Sequence, residues 1–305
     1  MGGMVFRRLP AAILLICLMS AALSSCFARR RLITRKATNG KTPPNLQVAG
    51  EDSLMASLAR EYNAIRDFSA TVDMTPALGS AEKSHITEYK DVTGYIFFRK
   101  PADIRIIGLY PIIRSRAFDM ASSGGAFKLY LPSRNAFLVG QNEIVKPSPN
   151  KIENLRPQYF LDAMLVRPID LKNNKVLMEN MTDEDGAYYI LHEIHEGANG
   201  QLQLRRTIWF NRLDLLLARQ LIFDDSGNIL TDVRYSEWKP WDNVPFPKHI
   251  DFNRPHDEIG LVLDVVKMDI NKGVSDDKFV LEQPEGTKLQ TVGQPPANAP
   301  EGPKK

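Results

Sequence analysis

Between residues 86 and 270 turn residues cut the chain into short apolar or alternating runs, and this punctuation restricts the fold more than any other feature. The run 92–100, with Tyr95-Ile96-Phe97-Phe98 inside it, ends at Lys100-Pro101-Ala102-Asp103. Strands are expected next at 104–109 and 115–120. Ser122-Ser123-Gly124-Gly125 then turns the chain into 127–131, and Pro132-Ser133-Arg134-Asn135 turns it into 137–139. A second series reads as strands at about 175–180, 187–195, 202–211, 216–223, 229–238, 247–253 and 260–269. Asp185-Gly186, Asn199-Gly200, Asn211-Arg212 and Asp224-Asp225-Ser226-Gly227-Asn228 supply turns between several of them. Parallel neighbours need a crossover of a dozen residues or more, which these intervals do not hold, so the strands pair antiparallel.

Only two stretches carry the helical period. Asp52-Ser53 offers a cap, and Leu54, Met55, Leu58, Tyr62 and Ile65 recur on one face, predicting a helix over about 53–66. Phe68, Ala70, Val72 and Met74 then alternate as a strand, and the polar 77–85 reads as a loop. Leu155, Tyr159, Phe160, Met164 and Leu165 mark a second helix, with Pro157 suited to its first position and Pro168 stopping it. The fold class expected is mainly β with helices (α+β). A large curved antiparallel sheet spans 53–283, unclosed like half a barrel, and the two amphipathic helices cover its apolar concave face. Loose helices would leave an apolar pocket beneath them. From Pro284 onward, prolines and small polar residues predict a disordered tail over 284–305.

Ahead of this body stand Arg7 and Arg8, an uncharged apolar run over 11–23, and small residues leading to Cys26. That order predicts an export signal over 1–25. As a helix the run spans only about 20 Å, short of the roughly 30 Å hydrocarbon core of a membrane. Leu23-Ser24-Ser25-Cys26 resembles the lipobox of bacterial lipoproteins. The resemblance implies cleavage before Cys26, a diacylglyceryl group on its thiol and acylation of the new amino terminus. At about 0.8 kcal/mol per buried methylene, two or more chains anchor a protein without spanning the bilayer. With Cys17 in the removed segment, Cys26 is the one cysteine left, which excludes a disulfide framework and a cysteine metal site. Phe27, rather than the aspartate that retains such lipoproteins at the inner membrane, follows it. The expected location is therefore the periplasmic face of the outer membrane.

The net charge of +3 misstates the body. Without Arg7 and Arg8 the chain carries +1, and residues 27–50 alone hold six cations and no acid, so the remainder is at −5. A mildly acidic body excludes a nucleic-acid surface. The basic stretch beside the anchor attracts anionic headgroups at about 1 kcal/mol per cation. With Cys26 it forms a tether over 26–52, which reaches about 85 Å fully extended and averages about 28 Å.

Three segments resemble the LolA/LolB family of lipoprotein carriers and receptors. They are Gly94-Tyr95-Ile96-Phe97-Phe98-Arg99, then Arg105-Ile106-Ile107-Gly108-Leu109-Tyr110-Pro111-Ile112-Ile113-Arg114-Ser115, then Gly125-Ala126-Phe127-Lys128-Leu129-Tyr130. Leu155-Arg156-Pro157-Gln158-Tyr159-Phe160-Leu161 is similar to the family's middle helix. Leu221-Ile222-Phe223-Asp224-Asp225-Ser226-Gly227, Val233-Arg234-Tyr235 and Pro245-Phe246-Pro247-Lys248-His249-Ile250 are similar to its closing strands. The resemblance implies an unclosed barrel with a helical lid over an acyl-chain cavity. Tyr95, Phe97, Ile104, Ile106, Phe118, Leu129, Tyr159, Met164, Phe223 and Tyr235 are the expected lining. It also implies a membrane-contact loop, here Leu109, Tyr110, Pro111, Ile112 and Ile113 with Ile112 at the tip, flanked by Arg105 and Arg114. Ile113 stands where the family has a glycine, and 171–204 exceeds the family's usual length.

Other chemistry is poorly represented. His192-Glu193-Ile194-His195-Glu196 spaces its histidines three apart on an expected strand, where odd separations point to opposite faces, so no metal site is expected. Asp224-Asp225-Ser226-Gly227-Asn228 lacks the terminal glutamate of a calcium loop. No phosphate loop, dinucleotide fingerprint or nucleophile elbow occurs. The sequence thus predicts a binding protein that is not an enzyme and needs no cofactor. Its expected partners are membrane lipid, the acyl chains of lipoproteins or other lipids, and a periplasmic carrier protein. A sensor or assembly component using the same fold is the alternative.

Overall fold

The computed structural model describes residues 45–80, 85–88, 91–142, 154–183 and 186–292. The export signal, Cys26 and the six cations of the basic stretch lie outside the described residues, as does the chain from 293 on. Helix α1 spans Glu51–Ala64 and α2 spans Pro157–Met164. The first seven strands are β1 (Asp67–Ser80), β2 (His85–Glu88), β3 (Val92–Arg99), β4 (Asp103–Leu109), β5 (Arg116–Ser123), β6 (Ala126–Leu131) and β7 (Ala136–Gln141). After α2 come β8 (Asn174–Thr182), β9 (Ala187–Glu196), β10 (Leu202–Asn211), β11 (Leu217–Phe223), β12 (Ile229–Trp241), β13 (Val244–Arg254) and β14 (Ile259–Ile270), and β15 (Lys288–Thr291) closes the series.

All fifteen strands belong to one sheet. Its order is β15-β7-β6-β5-β4-β3-β1-β14-β13-β12-β11-β10-β9-β8, with β2 paired to β1. The two end strands do not pair with each other, so the sheet is unclosed. Every pair is antiparallel except β15 with β7. The middle strand β1 joins the two halves, with Phe68 opposite Phe98 on one side and Ile270 on the other. Five register shifts, at Thr71/Val72, Gly108/Leu109, Leu204/Arg206, Trp209/Phe210 and Ile222/Phe223, bend the strands as extra residues do. One buried cluster holds Leu138 of β7 and Leu191 of β9 together, so both halves of the sheet curl toward a common core.

Alternation fixes which face is inside. In β3, Val92, Gly94, Ile96 and Phe98 are buried, and in β4 Ile104, Ile106 and Gly108 are. Gly94 and Gly108 lie opposite each other. A Cβ on Gly108 would stand 2.3 Å from the Phe118 ring, so the glycine gives that ring its seat. Helix α1 packs on β13, and α2 on β4 and β5, through Leu54, Leu58, Phe160, Leu161 and Met164. Phe160 meets Phe252 at 5.3 Å between ring centres.

The outer face of β3–β7 is covered as well. From Val274 the chain runs across it as a strap, with Leu281 against Ala121 and Phe137, and ends as β15 beside β7. Arg105 grips Asp119 through two hydrogen bonds (2.9 and 2.8 Å) and donates to the carbonyls of Lys278 and Val280. The disorder expected from Pro284 does not hold up to Val292, because pairing with the β7 edge orders that segment, and the rest of the expected tail lies outside the described residues. Of the expected loop over 77–85, residues 77–80 are the end of β1 and His85 starts β2, since the long β14 gives β1 a partner out to Leu78; 81–84 lie outside the described residues. The tether also ends earlier than residue 52: Gln47 bonds to the carbonyls of Arg212 and Leu213, and α1 begins at Glu51 behind Gly50.

Candidate functional site: the helical lid on the inner face

Helix α2 is eight residues long, too short to be stable alone in water. It buries Phe160, Leu161, Ala163 and Met164 against the sheet. Its C-terminal carbonyls have no partner within the helix, and buried polar groups at the inner face supply one. The Tyr235 hydroxyl donates to the Ala163 carbonyl at 2.8 Å, and the Gln220 amide to the Asp162 carbonyl at 3.3 Å. Arg206 donates to the carbonyl of Arg167 (2.8 Å) just past the helix, to Gln220 (3.3 Å), and to Glu193 (2.8 Å). A guanidinium there also suits the negative end of the helix. Burial pushes the Tyr235 phenol far above its ordinary range, so it stays a neutral donor. At the other end of α2, Arg156 donates to the Gln141 carbonyl (2.9 Å) and stacks on Phe127 (4.2 Å), and Arg254 stacks on Tyr159 (3.6 Å).

Among the described residues the two helices pack down on the sheet, and the pocket seen at their seam is small. A pocket of about 30 Å³ lies at the seam of the two helices, lined by Leu58, Glu61, Tyr62, Met164, Tyr235 and Trp238 among others. That is room for about two waters, whereas small-molecule sites measure about 300–1,000 Å³. Burial also raises the Glu61 carboxyl above its usual range, with the Ser57 hydrogen bond and Arg60 pulling the other way.

Of the ten residues expected to line an acyl cavity, Ile104, Ile106, Leu129, Met164 and Tyr235 are buried in the common core, and Phe118 and Tyr159 pack on it half-buried. Met164 and Tyr235 also line the small pocket at the helix seam, and the other five pack in the core. Tyr95 and Phe97 are corrected: they point to the outer face, opposite Ile96 and Phe98, and stack on each other at 6.4 Å. Phe223 is half-buried at the end of β11, after a register shift, and lies outside the core cluster. Gln220, Arg206 and Glu193 escaped the sequence reading because polar residues within strands read as solvent-facing. The available signal was the interruption of β11 by Gln220, three residues after Leu217 across the shift that also moves β10.

The loop after β4 stands clear of the body. Ile112 is 94% exposed and Ile113 73%, and Tyr110 and Pro111 are exposed with them. The turn closes through Tyr110 N–H to Ser115 O (3.0 Å) and Arg114 N–H to Tyr110 O (2.9 Å). Arg114 takes the left-handed backbone (φ 50°), so Ile113 needs none of the freedom of a glycine. Leu109 is half-buried at the end of β4 and forms the stem. Arg114 and the exposed Arg116 flank the tip; Arg105, expected to join them, is committed to Asp119 and the strap. The histidines are separately engaged, His192 with Glu179 (2.9 Å) and His195 with the Asn173 carbonyl (3.0 Å). Among the described residues no cluster of three or more His, Cys, Asp or Glu residues could hold a metal. Asp224 closes its hairpin by accepting the N–H groups of Ser226 and Asn228.

No family model and no curated protein matches the chain. Among solved structures it is similar to a DUF1329 family protein from Desulfovibrio piger, at 15% identity and a TM-score of 0.49, covering 74% of this chain and 94% of that one. It is similar to a LolA superfamily protein from Nitrosomonas europaea, at 14% identity and a TM-score of 0.47, covering 74% and 97%. It is also similar to a domain of a putative outer membrane lipoprotein-sorting protein from Vibrio parahaemolyticus, at 10% identity and a TM-score of 0.45, covering 74% and 92%.

Proposed function

We propose that this chain is an acyl-anchored protein of the bacterial envelope, moored through Cys26 on the periplasmic face of the outer membrane. Its lidded sheet takes up acyl chains and so receives or localises lipoproteins in a LolB-like manner. The observation that carries this reading is the lid itself. An apolar helix of eight residues occupies the inner face of an unclosed sheet, held at its end by a compact set of polar groups. Such a helix can leave as a unit and expose an apolar surface to a guest.

The energetics favour a receiver over a store. Lifting Phe160, Leu161 and Met164 off the sheet costs at most about 1.5–3 kcal/mol for each side chain. An acyl chain exposed to water contributes about 0.8 kcal/mol per buried methylene against that cost. One held in a carrier's cavity or in a bilayer is already dry and gains no hydrophobic energy by entering, so its transfer follows the difference in affinity between the two sites. Release to the membrane lets the lid close again and is therefore the downhill direction. The exposed Ile112 and Ile113, followed by Arg114 and Arg116, provide the contact with that membrane.

The test is depletion followed by fractionation of the envelope. Loss of the protein should leave other lipoproteins at the inner membrane, and their normal arrival outside would refute the receiving role. The packed interior favours a second reading, a sensor or assembly partner that uses the fold without carrying lipid. A purified protein that takes up no long-chain acyl probe, with lipoprotein sorting unaffected, would select it.

A further inference from the structure

We propose that the free edge strand β8 is a self-pairing surface, on which a second copy of this chain lays its own β8 antiparallel so that the two sheets become continuous. β8 is nine residues long and ends the sheet, and among the described residues one line of its backbone donors and acceptors has no strand partner. Its register with β9 is unbroken, and it contains no proline and no bulge, two of the devices that blunt an edge; a third, exposed charge, is present as Lys175 and Glu179. Leu177 projects from it 59% exposed.

The occupant follows from the residue pattern. Residues 174–180 read Asn-Lys-Val-Leu-Met-Glu-Asn, which is a palindrome in chemical type about Leu177. Two identical strands paired antiparallel about a two-fold axis at Leu177 place Leu177 against Leu177 and Val176 against Met178. They also place Lys175 against Glu179 twice, and Asn174 against Asn180. Lys175, Leu177 and Glu179 share one face, so both ion pairs flank the central leucines. Registers centred on residue 175 or 179 would instead oppose like charges. Within one chain Lys175 already reaches Glu196, and Glu179 accepts from His192. These contacts hold both groups on that face, and an ammonium with three donors and a carboxylate with about four acceptor sites retain capacity for a partner. The other end of the sheet offers no such surface: β15 has four residues and only one hydrophobic side chain, Leu289. The pairing is independent of acyl-chain uptake, and it gives a role to the segment 171–204.

Single cysteines at 175, 177 and 179 in the full-length protein, oxidised in membranes of the producing cells, test the register. The parent with only its own cysteines is the baseline. In the proposed dimer the two residues at 177 stand within about 4.5–5.5 Å between Cα atoms, inside disulfide range, whereas those at 175 or 179 are two positions off the axis. We expect Leu177→Cys to give at least tenfold more disulfide-linked dimer than Lys175→Cys or Glu179→Cys. Added to Leu177→Cys, Lys175→Glu or Glu179→Lys alone should lower the yield several-fold, and the two together should restore it. Dimer no greater than the parent's at 177, equal yields at all three positions, or no rescue by the double exchange would each overturn the proposal. These side chains are largely exposed, so the variants keep the core intact.

Discussion

Replacing Tyr235 by Phe removes one hydroxyl from the sheet beneath the lid and nothing else. That hydroxyl is buried and donates to the Ala163 carbonyl at 2.8 Å, a group in the last turn of α2 with no helical partner. The variant leaves the carbonyl desolvated beneath Leu161 and Met164, a loss of about 1–3 kcal/mol. Taking about 2 kcal/mol, the population with α2 lifted rises about 30-fold while it stays a minor state. If acyl chains enter only the lifted form, the apparent Kd of a long-chain acyl probe falls by that same factor. Tm should fall by about 4–8 °C in the same protein. Hydrogen exchange across 157–165 reads the lid, and fluorescence titration reads the affinity. Tighter binding by a less stable protein is the expected signature. Faster exchange at the lid with unchanged or weaker probe binding would refute the gating role of α2. Because the phenol is held neutral by burial, the effect should not depend on pH anywhere the fold survives.

Glu61 beside the pocket behaves oppositely. Its folded carboxyl holds a proton more tightly than the unfolded one, so its own contribution to stability is greatest at low pH and is lost as pH rises through the raised value. Glu61→Gln should raise Tm at neutral pH and flatten that decline, as a series of thermal melts from pH 4 upward would show. Ile112→Asp should leave Tm unchanged, since the side chain is 94% exposed, and reduce vesicle binding of the unacylated chain at least tenfold in flotation assays. Asp119→Ala leaves Arg105 without its carboxylate in a nearly dry site. It should cost about 3–5 kcal/mol in urea unfolding and speed exchange along 278–291, where Arg105 holds the strap.

The strands were legible because each is short and bounded by turn chemistry, and most expected limits fall within two or three residues of those observed. Faces were harder to read. In Tyr95-Ile96-Phe97-Phe98 both parities are apolar, because the inner face meets the core and the outer one lies near the strap, with Lys278 5.8 Å from the Phe97 ring. The next strand held the answer: Arg105 between Ile104 and Ile106 marks the outer side. The Lys100-Pro101-Ala102 turn pairs Arg99 with Asp103, which carries Ile104 to Phe98 and Ile106 to Ile96. A charge on one strand and a turn length suffice to orient its neighbour. The loop after β4 was readable from five uncharged residues around a proline. The strap and the polar groups holding α2 were not, since both rest on pairings between residues 39 to 175 positions apart.

The same long-range pairings decide whether the fold stores a guest or only admits one. Sequence periodicity places apolar residues on the inner face but does not say how far two helices sink into it. Here the glycine pair Gly94 and Gly108 makes the sheet thin where Phe118 lies, and α2 sinks until Phe160 reaches Phe252. A side chain larger than glycine at 108 would collide with the Phe118 ring at 2.3 Å and force it toward α2. Gly108→Ala should thus loosen the lid from below, as Tyr235→Phe loosens it from its end. The two sites lie on different halves of the sheet, so if both act by lifting one helix their effects on probe affinity should multiply while that state remains rare. Affinity gains from one substitution but not the other would place the opening at one end of α2, and the helix would then pivot instead of leaving as a unit.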